Sequence, residues 1–123
     1  MCDDSGGVID DLIVYEITDS QLFLVPNAAN CAEVEKRIKL KAPANLEVVN
    51  EHQGYGVLAL QGPKSDEVLK KLGLSVSLEY MSFVQVTSND FGDLIICRTG
   101  YTGEFGYELL PKWHNTLKLW ESL

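Results

Sequence analysis

Apolar and polar residues alternate along the first part of the chain in a way that predicts a β-hairpin. Val8–Ile17 has the composition and two-residue period of a strand, and Leu22–Pro26 forms a second, shorter run. Thr18–Gln21 supplies polar turn residues between the two runs. We therefore expect the runs to pair as neighbouring strands.

After Pro26 the apolar period lengthens and predicts a helix. Three residues share one face at helical spacing: Cys31, Val34 and Ile38. Asn30 followed three residues later by Glu33 is compatible with a capped helix start, and Pro43 marks its end.

The rest of the chain adds strands and two more helices. The runs that predict strands are Leu46–Asn50, Tyr55–Gly62, Phe83–Ser88, Gly92–Thr99 and Tyr107–Pro111. Gly62–Gly73 predicts a short helix with an early proline and a terminal glycine, and Lys112–Leu123 predicts an amphipathic one. This order predicts an α+β fold with a mostly antiparallel sheet and helices packed on one side, residues 1–123 being a single domain or a fragment.

Composition and charge exclude several function classes. The hydrophobic fraction of 46% is that of a globular protein, and the net charge of −8 argues against nucleic acid as a partner. No apolar run is long enough to span a bilayer, so we expect no membrane association. Three cysteines without a CxxC pair and two distant histidines give little support for a metal site and favour buried free thiols in a reducing compartment.

Two adjacent aspartates interrupt the first predicted strand. Because side chains alternate, Asp11 shares its face with large apolar residues, whereas Asp10 lies on the other face. A carboxylate on an apolar face needs a partner or a ligand. On pattern alone a structural explanation ranks first: Asp11 caps a turn, pairs with Arg98 or lies near a strand end in water. We expect Asp10 to bond backbone in the tight turn at Gly6 and Gly7.

A second unusual stretch, Arg98–Leu110, carries three glycines in seven residues together with tyrosines and glutamates. Glycines allow close approach to backbone, and tyrosines suit a flat aromatic ligand. The spacing matches neither a phosphate loop nor a dinucleotide fingerprint. Glu108 lies on the strand that follows, on the face opposite Tyr107 and Leu109. An ordinary glycine-rich turn with surface tyrosines explains the pattern equally well.

Four motifs together resemble the family of the glycine cleavage system T-protein, the tetrahydrofolate-dependent aminomethyltransferase. They are GGVIDDLIVY, VPNAAN, LALQGP and RTGYTGEFGYE, in the family's order and spacing. The resemblance implies that the chain is the central part of the aminomethyltransferase folate-binding domain. It also implies a reaction, in which an aminomethyl group on the lipoyl arm of H-protein releases ammonia and passes its carbon to tetrahydrofolate, the acceptor substrate.

The resemblance also implies roles for individual residues. Asp11 corresponds to the essential carboxylate beside the reacting folate nitrogens, and Asn27 to an asparagine that lines the folate site. Tyr80 and Tyr101 correspond to tyrosines near the pterin, and Glu108 to the glutamate that grips the pterin ring. One carboxylate can accept the two parallel donors of a reduced pterin, and a second can stabilise the positive charge that develops during transfer. The resemblance therefore implies that Asp11 faces inward to the folate cavity.

The family's proteins are longer, so we expect this chain alone to be incomplete as an enzyme. Phe105 departs from the pattern where the family often has an acidic residue. The alternatives are a non-catalytic folate-binding module of the superfamily, such as an iron–sulfur or tRNA maturation factor, and an appended domain of a sarcosine or dimethylglycine dehydrogenase. The expected compartment is the bacterial cytoplasm, or the mitochondrial matrix of a eukaryote.

Overall fold

The structure, a computed structural model, describes all 123 residues of the chain. Contacts divide the chain into two compact units, Met1–His52 and Gln53–Leu123. The first unit contains strands β1 (Ile13–Thr18) and β2 (Gln21–Val25), a short 3-10 helix (Ala28–Asn30) and helix α1 (Cys31–Lys41). The second contains β3 (Leu58–Gln61), α2 (Ser65–Lys71), β4 (Phe83–Ser88), β5 (Gly92–Cys97), β6 (Gly106–Pro111) and α3 (Trp113–Ser122). These two antiparallel sheets and three α-helices confirm the predicted α+β class.

The predicted hairpin forms in the first unit, but its first strand is shorter than expected. β1 pairs antiparallel with β2, with Tyr15 opposite Phe23. The prediction that the strand begins at Val8 is wrong, because only an isolated bridge to Cys2 pairs Val8 and the continuous strand starts at Ile13. The segment before β1 is held by side-chain hydrogen bonds instead of by backbone pairing with a neighbouring strand.

Helix α1 follows its predicted face. Val34 is buried, and Cys31 and Ile38 are half-buried on the same side. The two ion pairs of the structure, Glu33–Arg37 and Glu35–Lys39, each link consecutive turns of this helix at 2.6 Å. Such partly exposed pairs contribute little, about 0.3–0.5 kcal/mol each, so α1 depends on its packed face.

One predicted strand does not form. Leu46–Asn50 has strand-like composition, but no neighbouring segment pairs with it and it adopts no regular structure. The Asn50 side chain instead donates a hydrogen bond to Glu35 Oε2 at 2.6 Å. The β-propensity of these residues is therefore not enough to form a strand when no partner strand is available.

The second unit is a four-stranded antiparallel sheet in the order β3-β6-β5-β4, with its core on one face. Leu69 of α2 and Leu119 of α3 lie in one buried cluster with residues from the sheet, which confirms helices on one side. The fully buried sheet residues of that cluster are Leu94, Ile96, Tyr107 and Leu109. The strand register places Gln61, Cys97 and Glu108 on the opposite face.

The two helices of the second unit differ in how far they follow the sequence pattern. Gly73 follows α2 with φ of 70°, and backbone bonds from Gly73 to Lys70 and from Leu74 to Leu69 form a Schellman motif. In α3 the predicted apolar stripe of Trp113, Leu117 and Trp120 is exposed, whereas Leu119 is buried. None of the three α-helices has the length and apolar character that crossing a bilayer requires.

Candidate functional site

The buried aspartate of the adjacent pair is Asp10. Its side chain is 2% exposed and accepts three hydrogen bonds: from Asn27 Nδ2 at 2.5 Å, from the Asn27 backbone N–H at 3.1 Å and from Asn30 Nδ2 at 3.2 Å. The hydrogen bonds from Asn27, and then from Asn30, hold the pKa of Asp10 below its ordinary value against the opposing effect of burial. The carboxylate therefore stays charged and ties the start of β1 to the segment before α1.

Asp10 is structural, as predicted, but not in the predicted turn. Asp3 makes the glycine turn: its Oδ1 accepts bonds from the Gly7 backbone N–H at 2.8 Å and the Ser5 backbone N–H at 2.9 Å. These bonds, and first the one from the Ser5 hydroxyl, lower the pKa of Asp3. The prediction that Asp10 bonds the Gly6–Gly7 backbone is wrong, because the nearer Asp3 already does so.

Asp11 is exposed and lies two residues before β1, so its expected position on an apolar strand face is wrong. The alternation that placed it there does not apply to a segment outside the strand. Both ion pairs of the structure lie in α1, so the Asp11 carboxylate belongs to neither of them. The Asp11 carbonyl oxygen accepts a bond from Asn27 Nδ2 at 3.1 Å, which fixes the main chain at this position.

Asn27 joins the two aspartates. It follows β2 and precedes the 3-10 helix, and its Nδ2 serves both the Asp10 carboxylate and the Asp11 carbonyl. Both amide hydrogens are therefore used within the chain, so only its Oδ1 is left for a ligand. Asn30, predicted as a helix cap, does not cap α1, and its side chain donates to Ile9 and Asp10 instead.

In the second unit, Glu108 is a buried carboxylate in the middle of β6. It is 8% exposed and is paired across the sheet with Ala59 on β3 and Cys97 on β5. Its Oε2 accepts a hydrogen bond from the Thr99 hydroxyl at 2.5 Å, and its Oε1 accepts none. A carboxylate offers about four acceptor positions, and Thr99 takes one, so about three remain for further donors.

Thr99 and Gln61, which the sequence did not single out, add to this part of the second unit: Thr99 bonds Glu108, and Gln61 bonds Thr99. Thr99 is 1% exposed and follows β5. Gln61 ends β3 and donates from Nε2 to the carbonyl of Thr99 at 3.0 Å and to that of Tyr107 at 2.9 Å. The only sequence signal for Gln61 is a polar residue that ends an apolar strand.

The tyrosines predicted near the pterin are both on the surface of the second unit. Tyr80 is 69% exposed, and Tyr101 is 74% exposed in the connection between β5 and β6, residues 98–105, which we call the glycine loop. The Arg98 guanidinium lies 3.7 Å from the Phe105 ring centroid and 6.0 Å from that of Tyr80. Phe105 thus stacks on Arg98, a contact that its departure from the acidic pattern makes possible.

The predicted site residues fall into two groups. Asp11 and Asn27 are brought together in the first unit, and Tyr80, Tyr101 and Glu108 lie in the second. No group of three or more histidine, cysteine, aspartate or glutamate residues is arranged to hold a metal ion. The site roles of these five residues stay predictions.

Comparison with known proteins places these features in one family. The model of the GCVT N-terminal domain matches residues 1–123. Aminomethyltransferase of Parafrankia sp. (strain EAN1pec) is 50% identical over 122 residues, which is 99% of this chain and 33% of that protein. The aminomethyltransferases of Mycobacterium avium (strain 104) and Mycobacterium tuberculosis (strain ATCC 25618 / H37Rv) are each 48% identical over the same shares. The chain spans about a third of the length of these curated relatives, and it belongs to the GCVT N-terminal domain family.

Proposed function

We propose that the chain supplies tetrahydrofolate-binding residues of an aminomethyltransferase of the glycine cleavage system. The observation that carries the proposal is the 50% identity to a protein of that name along 99% of the chain. In this reaction the carbon of an aminomethyl group on the lipoyl arm passes to tetrahydrofolate, and ammonia is released. Because the chain covers a third of such a protein, we propose the activity for a full-length protein that contains this chain.

The environment of Glu108 supports pterin binding. A reduced pterin presents a ring N–H beside an exocyclic amino group, two parallel donors that suit one carboxylate. Thr99 orients the carboxylate from one side, and Oε1 accepts no bond within the chain. Because Glu108 is almost buried, donors that reach it meet little competition from water.

The environment of Asp11 supports a role in transfer. Asp10 and Asn27 hold its main chain, so the carboxylate is presented from a fixed point without an ion-pair partner. Such a carboxylate can stabilise the positive charge that develops as the carbon moves to a folate nitrogen, and can exchange a proton with it. Asn27 contributes to the folate site through its Oδ1, and Tyr80 and Tyr101 offer aromatic faces for stacking.

The proposed reaction implies a protein partner and a compartment. Lipoylated H-protein carries the aminomethyl group, so the protein must accept its lipoyl arm. The relatives described above are bacterial, which supports the bacterial cytoplasm as the place of action.

Calorimetric titration with tetrahydrofolate tests the binding role of Glu108. We expect Glu108→Gln to weaken binding at least about tenfold, since hydrogen bonds to a charged acceptor are worth about 1.5–3 kcal/mol. Glu104→Gln is the matched control, because Glu104 is an exposed glutamate of the glycine loop. Unchanged affinity in Glu108→Gln would remove this residue from the pterin site.

Methylenetetrahydrofolate formation by the protein that carries this chain tests the role of Asp11. Asp11→Asn should abolish turnover and leave the free energy of unfolding nearly unchanged, because the side chain is exposed. Asp19→Asn, in the turn between β1 and β2, is the matched control. Normal turnover by Asp11→Asn would exclude the role, and folate binding without turnover by the unmodified protein would indicate a non-catalytic module.

A further inference from the structure

Gln61 contacts both ends of the glycine loop with a single side-chain amide. Its Nε2 donates to the Thr99 carbonyl at one end and to the Tyr107 carbonyl at the other. These contacts span 38 and 46 residues of sequence. One planar group therefore fixes the separation of the two chain segments from which the loop departs.

The oxygen end of the same amide bears on why residues 100 and 106 are glycines. An added Cβ at Gly100 or Gly106 would overlap the Gln61 amide, with Oε1 as the nearest atom in both cases. Neither residue has a positive φ, so backbone conformation does not require glycine at either position. At Gly100 all three nearest atoms belong to the Gln61 side chain, whose space therefore requires glycine there. At Gly106 the Gln61 Cα also lies 2.6 Å from an added Cβ, so the backbone of β3 contributes as well.

The same geometry accounts for an otherwise unexplained acceptor. Gln61 Oε1 is buried and has no hydrogen-bond donor, which ordinarily costs about 1–3 kcal/mol. It lies 2.2 Å from the Cβ position of residue 100 and 2.4 Å from that of residue 106, so an α-hydrogen of each glycine points toward it. Weak Cα–H···O contacts of this kind offset part of the cost.

We propose that Gln61 is a positioning residue, a clamp that holds the glycine loop closed at its base through Thr99, Gly100, Gly106 and Tyr107. Thr99 is the donor to Glu108, and Tyr101 follows Gly100, so the clamp sets the position of both. The effect of the clamp on tetrahydrofolate binding rests on the proposed function, whereas the clamp itself is a property of the fold.

A double-mutant cycle tests the clamp without any ligand. In the chain with Gln61, Gly100→Ala should raise the unfolding equilibrium constant about tenfold or more, because the added methyl overlaps the amide. In a Gln61→Ala background the space is open, so the same Gly100→Ala change should cost much less. Equal cost in both backgrounds would overturn the clamp.

Gly103 provides the matched control inside the same loop. It has φ of 74° and nothing within 4 Å of an added Cβ. Gly103→Ala is strained by its backbone alone, so its cost should be the same with and without Gln61. Should Gly100→Ala fail to fold, recovery of folding in Gly100→Ala/Gln61→Ala would support the clamp, and continued failure would contradict it.

Hydrogen–deuterium exchange and tetrahydrofolate titration separate this inference from the proposed function. Gln61→Ala should speed backbone amide exchange in residues 99–107, and unchanged exchange would overturn the clamp. It should also weaken tetrahydrofolate binding severalfold. Faster exchange in a protein whose unmodified form binds no tetrahydrofolate would leave the clamp standing and reject the proposed function. Faster exchange with unchanged affinity would reject only the effect of the clamp on the ligand.

Discussion

Replacing Thr99 by valine removes one hydrogen bond from a buried carboxylate and keeps the side-chain volume. Thr99 is 1% exposed, Glu108 is 8% exposed, and their oxygen atoms are 2.5 Å apart. A bond to a charged acceptor is worth about 1.5–3 kcal/mol, against about 0.5–1.5 kcal/mol for a neutral one. We therefore expect Thr99→Val to lower the free energy of unfolding by about 1.5–3 kcal/mol.

The pairwise part of this loss can be isolated because Glu108 can be neutralised. Urea unfolding of Thr99→Val, Glu108→Gln and the double variant forms a cycle in which the coupling should be about 1 kcal/mol, the difference between a charged and a neutral acceptor. Thr99→Ser keeps the hydroxyl and loses one methyl group, so it should cost about 0.8 kcal/mol. A coupling within about 0.5 kcal/mol of zero, the limit for independent sites, would refute the bond between Thr99 and Glu108 as a stabilising contact.

Three further predictions concern pH and packing. The lowered pKa of Asp10 means that its stabilisation is present above pH 3.8 and lost as pH falls through the folded-state pKa; urea midpoints should fall less on the acid side in Asp10→Asn than in the wild type, the remaining loss coming from other carboxylates of lowered pKa such as Asp3. Burial raises the pKa of Tyr107 to about 12 from 10.0, so its contribution should be present below pH 10.0 and lost as pH rises through about 12; Tyr107→Phe should lack that alkaline loss. Leu119→Ala should lower the unfolding free energy by about 2–5 kcal/mol, whereas Leu117→Ala on the exposed side should stay within about 0.5 kcal/mol, both measured by urea unfolding.

Local periodicity predicted most of the fold because most elements are defined by their own residues. The strands β4 and β5 around a short turn, the face of α1 and the glycine after α2 all follow from patterns within a few residues. Leu46–Asn50 failed for the complementary reason. Its composition favours a strand, but a strand also needs a neighbour that composition cannot supply.

The site was harder to predict because its contacts join distant residues. The alternation of side chains assigned Asp11 as the residue needing an explanation, whereas Asp10 is the buried one. The bonds that bury Asp10 come from Asn27 and Asn30, which lie 17 and 20 residues away. The amide of Gln61 bonds residues 38 and 46 positions away in the sequence. The periodicity of apolar residues gives no sign of such distant pairings. The motif resemblance named Glu108 as a candidate, but it gave no sign of the Thr99 hydroxyl that donates to its carboxylate.

The two buried carboxylates share a feature that bears on the proposed chemistry. Asp10 is held by asparagine amides and a backbone N–H, and Glu108 by a threonine hydroxyl, all of them uncharged donors. Arginine or lysine partners would cancel the negative charge of each site, whereas neutral donors orient the oxygens and leave the negative potential in place. At Asp10 that potential adds to the charge of the neighbouring exposed Asp11. The negative potential at Glu108 would favour the donors of a pterin, and that of Asp10 and Asp11 would favour a carbon that gains positive charge, which supports the roles proposed for Glu108 and for Asp11.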